Sequence, residues 1–380
     1  MPSGPSSAHR AATRRTVVYL LLGAAGLVFL TPFIWLVVTS LKPLEQAMSL
    51  PPSFIPRAFY ATIDGEHLDV TRDFAVPSAG VVAEIIAGNQ AGRRVFLSPA
   101  EAAARATELR VLHPTEAGWW RVTERRELGD ARMPRWDVVP PEAIGTKIRP
   151  RWKNYPTALA RLGGTAGVGF WRFLQNTLVV CVLGVIGTVL SNAIVAYGFA
   201  RLRWRGRDAF FALTLATMMV PFPVLMVPLY GVFKSLGLVG TLVPLWLPAF
   251  FGSAFNIFLM RQFFRSIPEE LSEAARIDGC SEWRIFWRII LPLSKPVLIT
   301  AGVFHFLYAW NDFIGPLLYL TRTEDYTLAI ALQSYQSQAG GVQWHYLMAA
   351  SAVIIAPVIV LFFFAQKTFV QGIATTGSKG

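Results

Sequence analysis

The sequence is poor in charged residues and in cysteine. Only 15% of its 380 residues are Asp, Glu, Lys or Arg, whereas a soluble domain averages about 25%. Its two cysteines, Cys181 in an apolar run and Cys280 in a charged one, cannot form a disulfide framework. With 53% hydrophobic residues and a mean hydropathy of +0.44, these shortages exclude an ordinary soluble protein and predict a chain that crosses a membrane several times.

Motifs for catalysis are missing as well. The phosphate loop G-x-x-x-x-G-K-[ST] does not occur, so any ATP must be hydrolysed by another chain. Residues 57–150 hold His67 and His113 but no cysteine, which gives no zinc-binding spacing. We therefore expect neither catalysis nor a cofactor nor a metal ion in this chain.

Six apolar runs predict six membrane-spanning helices, because about 20 apolar residues suffice to cross the hydrocarbon core. The first run follows a basic start and could be a signal peptide, but its length and the lack of a clear A-x-A site favour an uncleaved span. Three prolines predict a kinked third span. The predicted spans are Val17–Leu41, Phe170–Ala200, Phe210–Phe233 (with Pro221, Pro223 and Pro228), Leu242–Met260, Pro296–Leu320 and Tyr346–Val370.

Residues 57–150, between the first two runs, have a different composition. They carry 13 basic and 13 acidic residues, and they include short runs rich in Val, Ile and Trp. These runs predict strands, and Pro99–Leu109 predicts a helix, so we expect a small α+β domain. The predicted strands are Val95–Leu97, Leu109–Leu112, Trp119–Val122 and Trp136–Val139.

The net charge of +12 comes entirely from the rest of the chain, where 22 basic residues face 10 acidic ones. The basic residues cluster after the second and fourth spans and at the termini, which predicts that these parts are cytoplasmic and residues 57–150 extracytoplasmic. The charge is thus a topology signal, and nucleic-acid binding has no support. The clusters are Arg201, Arg203, Arg205 and Arg207; Arg261, Arg265, Arg276, Arg284, Arg288 and Lys295; and Lys367 and Lys379.

Residues 262–292, here the coupling loop, are charged again and predict two short helices joined by a tight bend. Gly279 follows the first helix where a left-handed residue is needed, and Ser281 can cap the second. Pro292 is expected to end that helix. Composition alone leaves two interpretations open. The segment could be a compact helical pair bound by a partner protein, or an amphipathic linker lying on lipid headgroups.

A resemblance favours the first reading. Glu273, Ala274, Ala275, Asp278 and Gly279 form E-A-A-x-x-D-G, followed about a dozen residues later by Leu291-Pro292. This pattern resembles the coupling loop of ABC importer permeases, which docks into a groove on a separate ATPase subunit. The resemblance implies that these five residues couple the chain to an ATPase.

Other segments resemble the carbohydrate-type permeases of that family. Trp310-Asn311-Asp312 matches their W-N-D, and Asn176, Ala196-Tyr197 and Arg201 fit the second span. Their P-P-x-x-x-P and N-Y, here Pro51–Pro56 and Asn154-Tyr155, normally lie close together. Residues 57–150 therefore look like an insertion into an ordinary loop of the family.

Two further sets of residues are candidates for contact with solute or partner. Trp310, Asn311 and Asp312 lie deep in the predicted fifth span and could line the translocation pathway, or could fix helix packing instead. Gln336, Gln338, Gly340 and Gly341 lie in the last outer loop. They could reach into a docked binding protein, or could form a simple surface turn.

The resemblance implies an all-α polytopic protein of type I ABC importer kind, with six transmembrane helices and an α+β insertion. Residues 1–56 would hold the cytoplasmic N-terminus and first helix, 57–150 the outer domain, and 151–380 the remaining helices. The expected function is sugar or oligosaccharide import across a bacterial or archaeal cytoplasmic membrane. The implied partners are membrane lipid, a second permease, two ATPase subunits holding ATP and Mg²⁺, and an extracytoplasmic solute-binding protein.

Three alternatives follow from the same residues. An ABC permease for a polyamine or a phosphate ester would share every motif. A membrane-anchored sensor or enzyme would place its activity in residues 57–150. A secondary transporter is disfavoured, because the sequence shows no inverted repeat and few acids within the apolar runs.

Overall fold

A computed structural model describes residues 7–48, 51–126, 133–163, 167–336 and 342–377. The chain divides into two units, Met1–Asn154 and Tyr155–Gly380, which are described separately below.

The first unit starts with a long helix, α1 (Ser7–Ser40), and a short one, α2 (Leu44–Ala47). The chain returns to the end of α1 after the β-rich stretch. The buried Asn154 side chain donates hydrogen bonds to the carbonyls of Ser40 (2.7 Å) and Lys42 (2.9 Å). The backbone N–H of Arg151 bonds the Leu41 carbonyl at 2.9 Å. The residues on either side of the β-rich stretch are therefore held together.

Among the described residues of this unit, eight strands form two antiparallel sheets. The larger has the order β7-β6-β2-β1-β8 and the smaller β4-β3-β5. Asp64 and Gly65 join β1 to β2, and both have the positive φ that a type I′ hairpin turn requires. The elements are β1 (Arg57–Ile63), β2 (Glu66–Ala75), β3 (Gly80–Ile85), β4 (Arg94–Leu97), α3 (Pro99–Ala104), β5 (Leu109–Thr115), β6 (Trp120–Glu124), β7 (Trp136–Val139), a 3₁₀ turn (Pro141–Ala143) and β8 (Ile144–Ile148).

Apolar residues and a chain of charges connect the two sheets. Val138 of β7 packs with Val82 of β3 in a common core. Asp137 beside it is buried and accepts hydrogen bonds from Arg94 of β4 and His113 of β5. Because a buried carboxylate is tolerated only when it is paired, these contacts fix how the sheets face each other.

The four predicted strands are confirmed as parts of β4, β5, β6 and β7. The predicted helix is shorter than expected and ends at Ala104, because Leu109 belongs to β5. Ser98 caps it through a reciprocal hydrogen bond with Glu101. Strands β1, β2, β3 and β8 are findings of the structure.

The second unit is helical and is built around α5 (Phe170–Ala200), whose bounds match the predicted second span. Small residues let neighbours approach it closely. Gly302 packs against Val185 and Val189, and Gly187 faces the Phe250 ring. Other helices are α4 (Asn154–Arg161), α6 (Arg207–Ala216), α7 (Phe222–Ser235), α8 (Val243–Trp246), α9 (Ala254–Ser266), α10 (Glu270–Ile277), α11 (Glu282–Ile285), α12 (Leu291–Leu293), α13 (Lys295–Asn311), α14 (Ile314–Tyr319), α15 (Leu328–Ala331) and α16 (Trp344–Gly377).

Short 3₁₀-helical and π-helical turns connect these helices. A π-helical turn over Phe286–Ile290 joins α11 to α12. The 3₁₀ turns are Thr217–Met219, Leu247–Phe251, Thr323–Asp325 and Leu332–Tyr335.

Three predicted spans are interrupted, and the fourth of the six consists of α8, the 3₁₀ turn Leu247–Phe251 and α9. In the third, Arg207–Met219 and Phe222–Ser235 meet at 100°, because Pro221 and Pro223 cannot continue the hydrogen-bond ladder. The predicted kink is therefore a full break. The fifth is not one helix either, since α13 ends at Asn311 and α14 begins at Ile314.

Among the described residues, four helices are long and apolar enough to cross a membrane: Arg14–Ser40, Phe170–Ala200, Val243–Ser266 and Trp344–Gln366. Two bent pairs pass the same test together, the pair at Pro221 and the pair Glu282–Leu293 with Lys295–Asn311, which meet at 78°. The described chain thus has between four and six candidate spans.

Candidate functional site

The coupling loop forms the two predicted helices and the predicted bend. Gly279 ends α10 with a φ of 78°, the left-handed value expected from its position. The Ser281 hydroxyl accepts a hydrogen bond from the Arg284 N–H and caps α11. Both predictions are confirmed, because each depends on local backbone chemistry alone.

The end of the second helix differs from the prediction. Pro292 lies inside α12, and the helix ends one residue later at Leu293. The preceding residues, Phe286–Ile290, form a wider π turn. A proline ring collides with the carbonyl four residues before it in a regular α-helix, and widening of that turn relieves the collision.

The α10 helix has a buried face and an exposed face. Ala275 is 7% exposed, and Ser272 is also buried. Glu273, Ala274, Asp278 and Gly279 are exposed. Of the five predicted coupling residues, Ala275 therefore supports the loop from inside while the other four lie on its surface.

Apolar side chains lie on the same exposed surface. Ile277, next to the bend, is 87% exposed, and Leu271, Trp283 and Trp287 are exposed as well. Large apolar groups held in water are unfavourable unless a partner covers them. The sequence interpretation missed Ile277 because its periodicity does not distinguish the two faces of such a short helix.

A core cluster beneath the coupling loop anchors it to α5 and α9. Ala275, Ile285 and Phe286 pack with Ala196 of α5 and Phe264 of α9. None of these contacts includes the exposed surface. The loop is thus a supported part of the helical unit.

Two buried arginines clasp the ends of α5 and α9. Arg201, which follows α5, donates hydrogen bonds to the carbonyls of Phe264 and Ile267 at the end of α9. In return Arg261 of α9 donates to the Phe199 carbonyl at 3.2 Å. A cation at a helix C-terminus satisfies free carbonyls and the helix dipole together. The basic clusters seen in the sequence thus include structural residues.

Glu282 joins three elements. Its Oε1 accepts a hydrogen bond from Nε of Arg276 in α10 at 2.7 Å, and its Oε2 accepts one from the Tyr197 hydroxyl of α5 at 2.6 Å. The hydrogen bond from Arg276 holds the pKa of the Glu282 carboxyl below its ordinary value despite partial burial. The same bond raises the pKa of Arg276. Both groups therefore stay charged at neutral pH.

The W-N-D residues have three different environments. Trp310 is 3% exposed, and its Nε1 donates to the Ile354 carbonyl of α16 at 3.2 Å. Asn311 is exposed and its side chain bonds the Leu307 carbonyl. The Asp312 carboxylate accepts the Gly315 N–H and caps α14. The structure thus gives Trp310 a packing contact and leaves the Asn311 side chain on a free surface of this chain.

Neutral polar groups occur along the buried side of α5. Thr188 pairs with His305 of α13 (Oγ1 to Nδ1, 2.9 Å). The Asn192 side chain accepts the Ser253 N–H at 2.7 Å, where the chain enters α9. Such hydrogen bonds hold helices together where water is excluded.

The last predicted site falls partly outside the described residues. Gln336 is exposed at the end of the turn Leu332–Tyr335. Gln338, Gly340 and Gly341 lie in the stretch that the structure does not describe.

In the helical unit, an exposed loop packs on the ends of candidate spans. This arrangement is the one expected of a transport permease. A family model described as "Binding-protein-dependent transport system inner membrane component" matches residues 184–375. The chain belongs to this family of ABC importer permeases and is a component of the inner membrane.

Similar proteins include several import permeases. The arabinooligosaccharides transport system permease protein AraQ of Halalkalibacterium halodurans is 36% identical over 211 residues, which cover 56% of this chain and 75% of that protein. The diacetylchitobiose uptake system permease protein DasC of Streptomyces coelicolor is 32% identical over 214 residues, covering 56% and 76%. The sn-glycerol-3-phosphate transport system permease protein UgpE of Yersinia pestis is 36% identical over 214 residues, covering 55% and 76%.

A solved structure shares the fold. It is a bacterial ABC transporter involved in the import of the acidic polysaccharide alginate, at a TM-score of 0.60 and 20% identity. The likeness covers 97% of this chain and 99% of that one. Because the alignment covers almost the whole chain, it includes the β-rich stretch. The fold is thus that of a type I ABC importer permease with a β-rich N-terminal region.

Proposed function

We propose that this chain is a permease subunit that imports a sugar or oligosaccharide, driven by ATP hydrolysis on a partner subunit. The observation that carries the proposal is the exposed surface of the coupling loop, where Ile277 is 87% exposed beside Glu273 and Asp278. The chain itself would be non-catalytic, with ATP and Mg²⁺ held by the ATPase.

The composition of this surface favours a protein partner over lipid. A helix that lies on headgroups carries Lys and Arg on its polar face. Here Glu270, Glu273 and Asp278 are exposed around Ile277, while Arg276 is paired with Glu282 and Glu269 with Arg203. An apolar knob with an acidic rim suits a groove lined by apolar and basic groups, and anionic headgroups would repel it.

We infer six spans, with both termini and the coupling loop in the cytoplasm. The bent pair at Pro221 then counts as one broken span, which is tolerated in membranes where neighbouring helices satisfy the freed backbone groups. Of the second pair, Lys295–Asn311 lies in the fifth span and Glu282–Leu293 stays with the coupling loop in the cytoplasm. Residues 57–150 then form an extracytoplasmic domain between the first two spans. The hydrogen bonds from Asn154 to Ser40 and Lys42 support this, since they close the point at which the domain leaves the chain.

An exposed neutral polar residue supports a sugar as the solute. Asn311 offers an amide group of the kind that binds sugar hydroxyls, and Asp312 would repel an anion. The similar proteins AraQ and DasC are named for the transport of arabinooligosaccharides and the uptake of diacetylchitobiose. UgpE is named for the transport of sn-glycerol 3-phosphate, a phosphate ester, and this compound is therefore the second candidate for the solute.

The proposed assembly has a second permease, two ATPase subunits and a solute-binding protein outside. Within it, Glu273, Ala274, Asp278 and Gly279 contact an ATPase and Ala275 supports them. Asn311 is the W-N-D residue whose side chain is free to meet solute. Gln336, Gln338, Gly340 and Gly341 would form the loop nearest the binding protein.

The test is uptake by proteoliposomes that contain the purified assembly, ATP inside and binding protein outside. We expect accumulation of a labelled neutral oligosaccharide that stops when either ATP or the binding protein is omitted. A tenfold excess of unlabelled sn-glycerol 3-phosphate should leave uptake unchanged. Uptake of labelled glycerol phosphate in place of every sugar tested would establish the second candidate. Uptake without ATP would refute both.

A further inference from the structure

The bend at Gly279 is by itself a weak mechanical joint. The glycine has a left-handed φ, it is exposed, and no heavy atom lies within 4 Å of the place where a Cβ would stand. Side chains at Gly279 itself therefore do little to stiffen the backbone between α10 and α11. The buried face of α10 is held by the packing of Ala275 against α5 and α9, so a push on its exposed face reaches α5 through that packing and through any polar contact that crosses the bend.

The Glu282 carboxylate makes such a contact. Arg276 lies before the bend and Glu282 after it, so their 2.7 Å hydrogen bond closes the joint. The second carboxylate oxygen is bound by Tyr197, which belongs to the long helix α5. The two donors use different oxygens and do not compete. A glutamine at this position loses the negative charge and one acceptor oxygen, so at most one of these bonds keeps its direction and neither is charge-assisted by a carboxylate.

Ring packing holds Tyr197 in place. Its ring contacts Phe286 at a centroid distance of 5.1 Å, and the residue is 6% exposed. The hydroxyl is therefore aimed at Glu282 by a packed side chain. Because charge-assisted hydrogen bonds are short and strong, the bridge is stiffer than the bend that it spans.

We propose that Glu282 is a positioning residue that transmits displacement of α10 to the spanning helix α5. This inference rests on the proposed function, in which an ATPase subunit moves the coupling loop. In its absence the ATPase would still dock on the exposed face of α10 and hydrolyse ATP. The movement would then reach α5 only through the apolar packing of Ala275, and less of it would be transmitted.

The experiment measures sugar imported per ATP hydrolysed, using the full assembly in proteoliposomes. The variants are Tyr197→Phe, which removes one hydroxyl and keeps the ring, Glu282→Gln and Arg276→Gln. Each should retain its ATPase subunits and the stimulation of hydrolysis by binding protein, while import per ATP falls about tenfold, as expected for one lost charge-assisted hydrogen bond. Glu324→Gln, at an exposed glutamate in the turn Thr323–Asp325 away from the coupling loop, is the matched control and should behave as wild type.

A charge-swapped double variant provides the rescue. Arg276→Glu combined with Glu282→Arg restores the ion pair across the bend and should recover most of the import per ATP that either single change loses. Normal import per ATP in Tyr197→Phe and Glu282→Gln would overturn the proposal. Loss of ATPase subunits from Tyr197→Phe would also overturn it, because the residue would then serve assembly. An absence of ATP-driven import in the wild type would instead contradict the proposed function.

Discussion

The left-handed conformation of Gly279 allows a quantitative test of the coupling loop. A non-glycine residue in this conformation costs about 1 to 2 kcal/mol. Since no heavy atom lies within 4 Å of a Cβ built at Gly279, an added methyl meets no steric clash and only the backbone term applies. Gly279→Ala should therefore cost about 1 kcal/mol, Gly279→Asn less, because Asn tolerates this region, and Gly279→Val most.

This cost appears as weaker ATPase binding if the bent form is the one that docks. About 1 kcal/mol corresponds to a roughly fivefold rise in Kd, and about 2 kcal/mol to a roughly thirtyfold rise. The assay is titration of a labelled ATPase subunit onto the permease in nanodiscs. Gly198→Ala is the control, because Gly198 lies in α5 without a positive φ or a close neighbour, and a helical alanine is not strained there. Equal affinities across Gly, Asn, Ala and Val at position 279 would refute the reasoning.

Three further predictions address topology, stability and the outer domain. A membrane-impermeant maleimide should label Cys280 only after the cytoplasmic face is opened, with the buried Cys181 as the unreactive internal control, and labelling of sealed cells would contradict the six-span topology. Asp137→Asn should destabilise the contact between the two sheets by about 1 kcal/mol, because one amide oxygen cannot accept from both Arg94 and His113, while Arg94 keeps its ion pair with Asp64. Hydrogen exchange of β4 and β7 in the intact protein should then accelerate well beyond that in the partly exposed Asp73→Asn control. Replacing residues 57–150 by a short Gly/Ser linker should leave sugar import active but change its dependence on binding-protein concentration. An assembled yet inactive protein at saturating binding protein would place the domain in the core mechanism.

Local chemistry made part of this structure predictable from sequence. The bounds of α5, the Ser281 cap and the left-handed Gly279 each depend on residues within one or two helical turns. The break at Pro221 was indicated for the same reason, although its angle of 100° depends on the surrounding helices. The resemblance to the family could also be found from sequence, since each of its motifs consists of residues close together in the chain.

Contacts between distant residues could not be predicted in this way. Tyr197 and Glu282 lie 85 positions apart, and Arg201 reaches a carbonyl 66 positions away. Which face of α10 is buried depends on α5 and α9, so Ala275 could not be separated from Ala274. Strands β1 and β2 carry many polar residues and their alternation is weak, although Asp64-Gly65 is a hairpin signal that could have revealed them.

Photo-cross-linking from two exposed isoleucines tests the central claim, that the coupling loop docks on an ATPase subunit in the cytoplasm. Benzoylphenylalanine would replace Ile277 on the loop, which is 87% exposed, or Ile148 at the end of β8, which is 70% exposed. We expect an ATPase adduct from position 277, no such adduct when Gly279→Val is also present, and none from position 148. An adduct from position 148, or none from position 277 in an assembly that imports sugar, would contradict this claim.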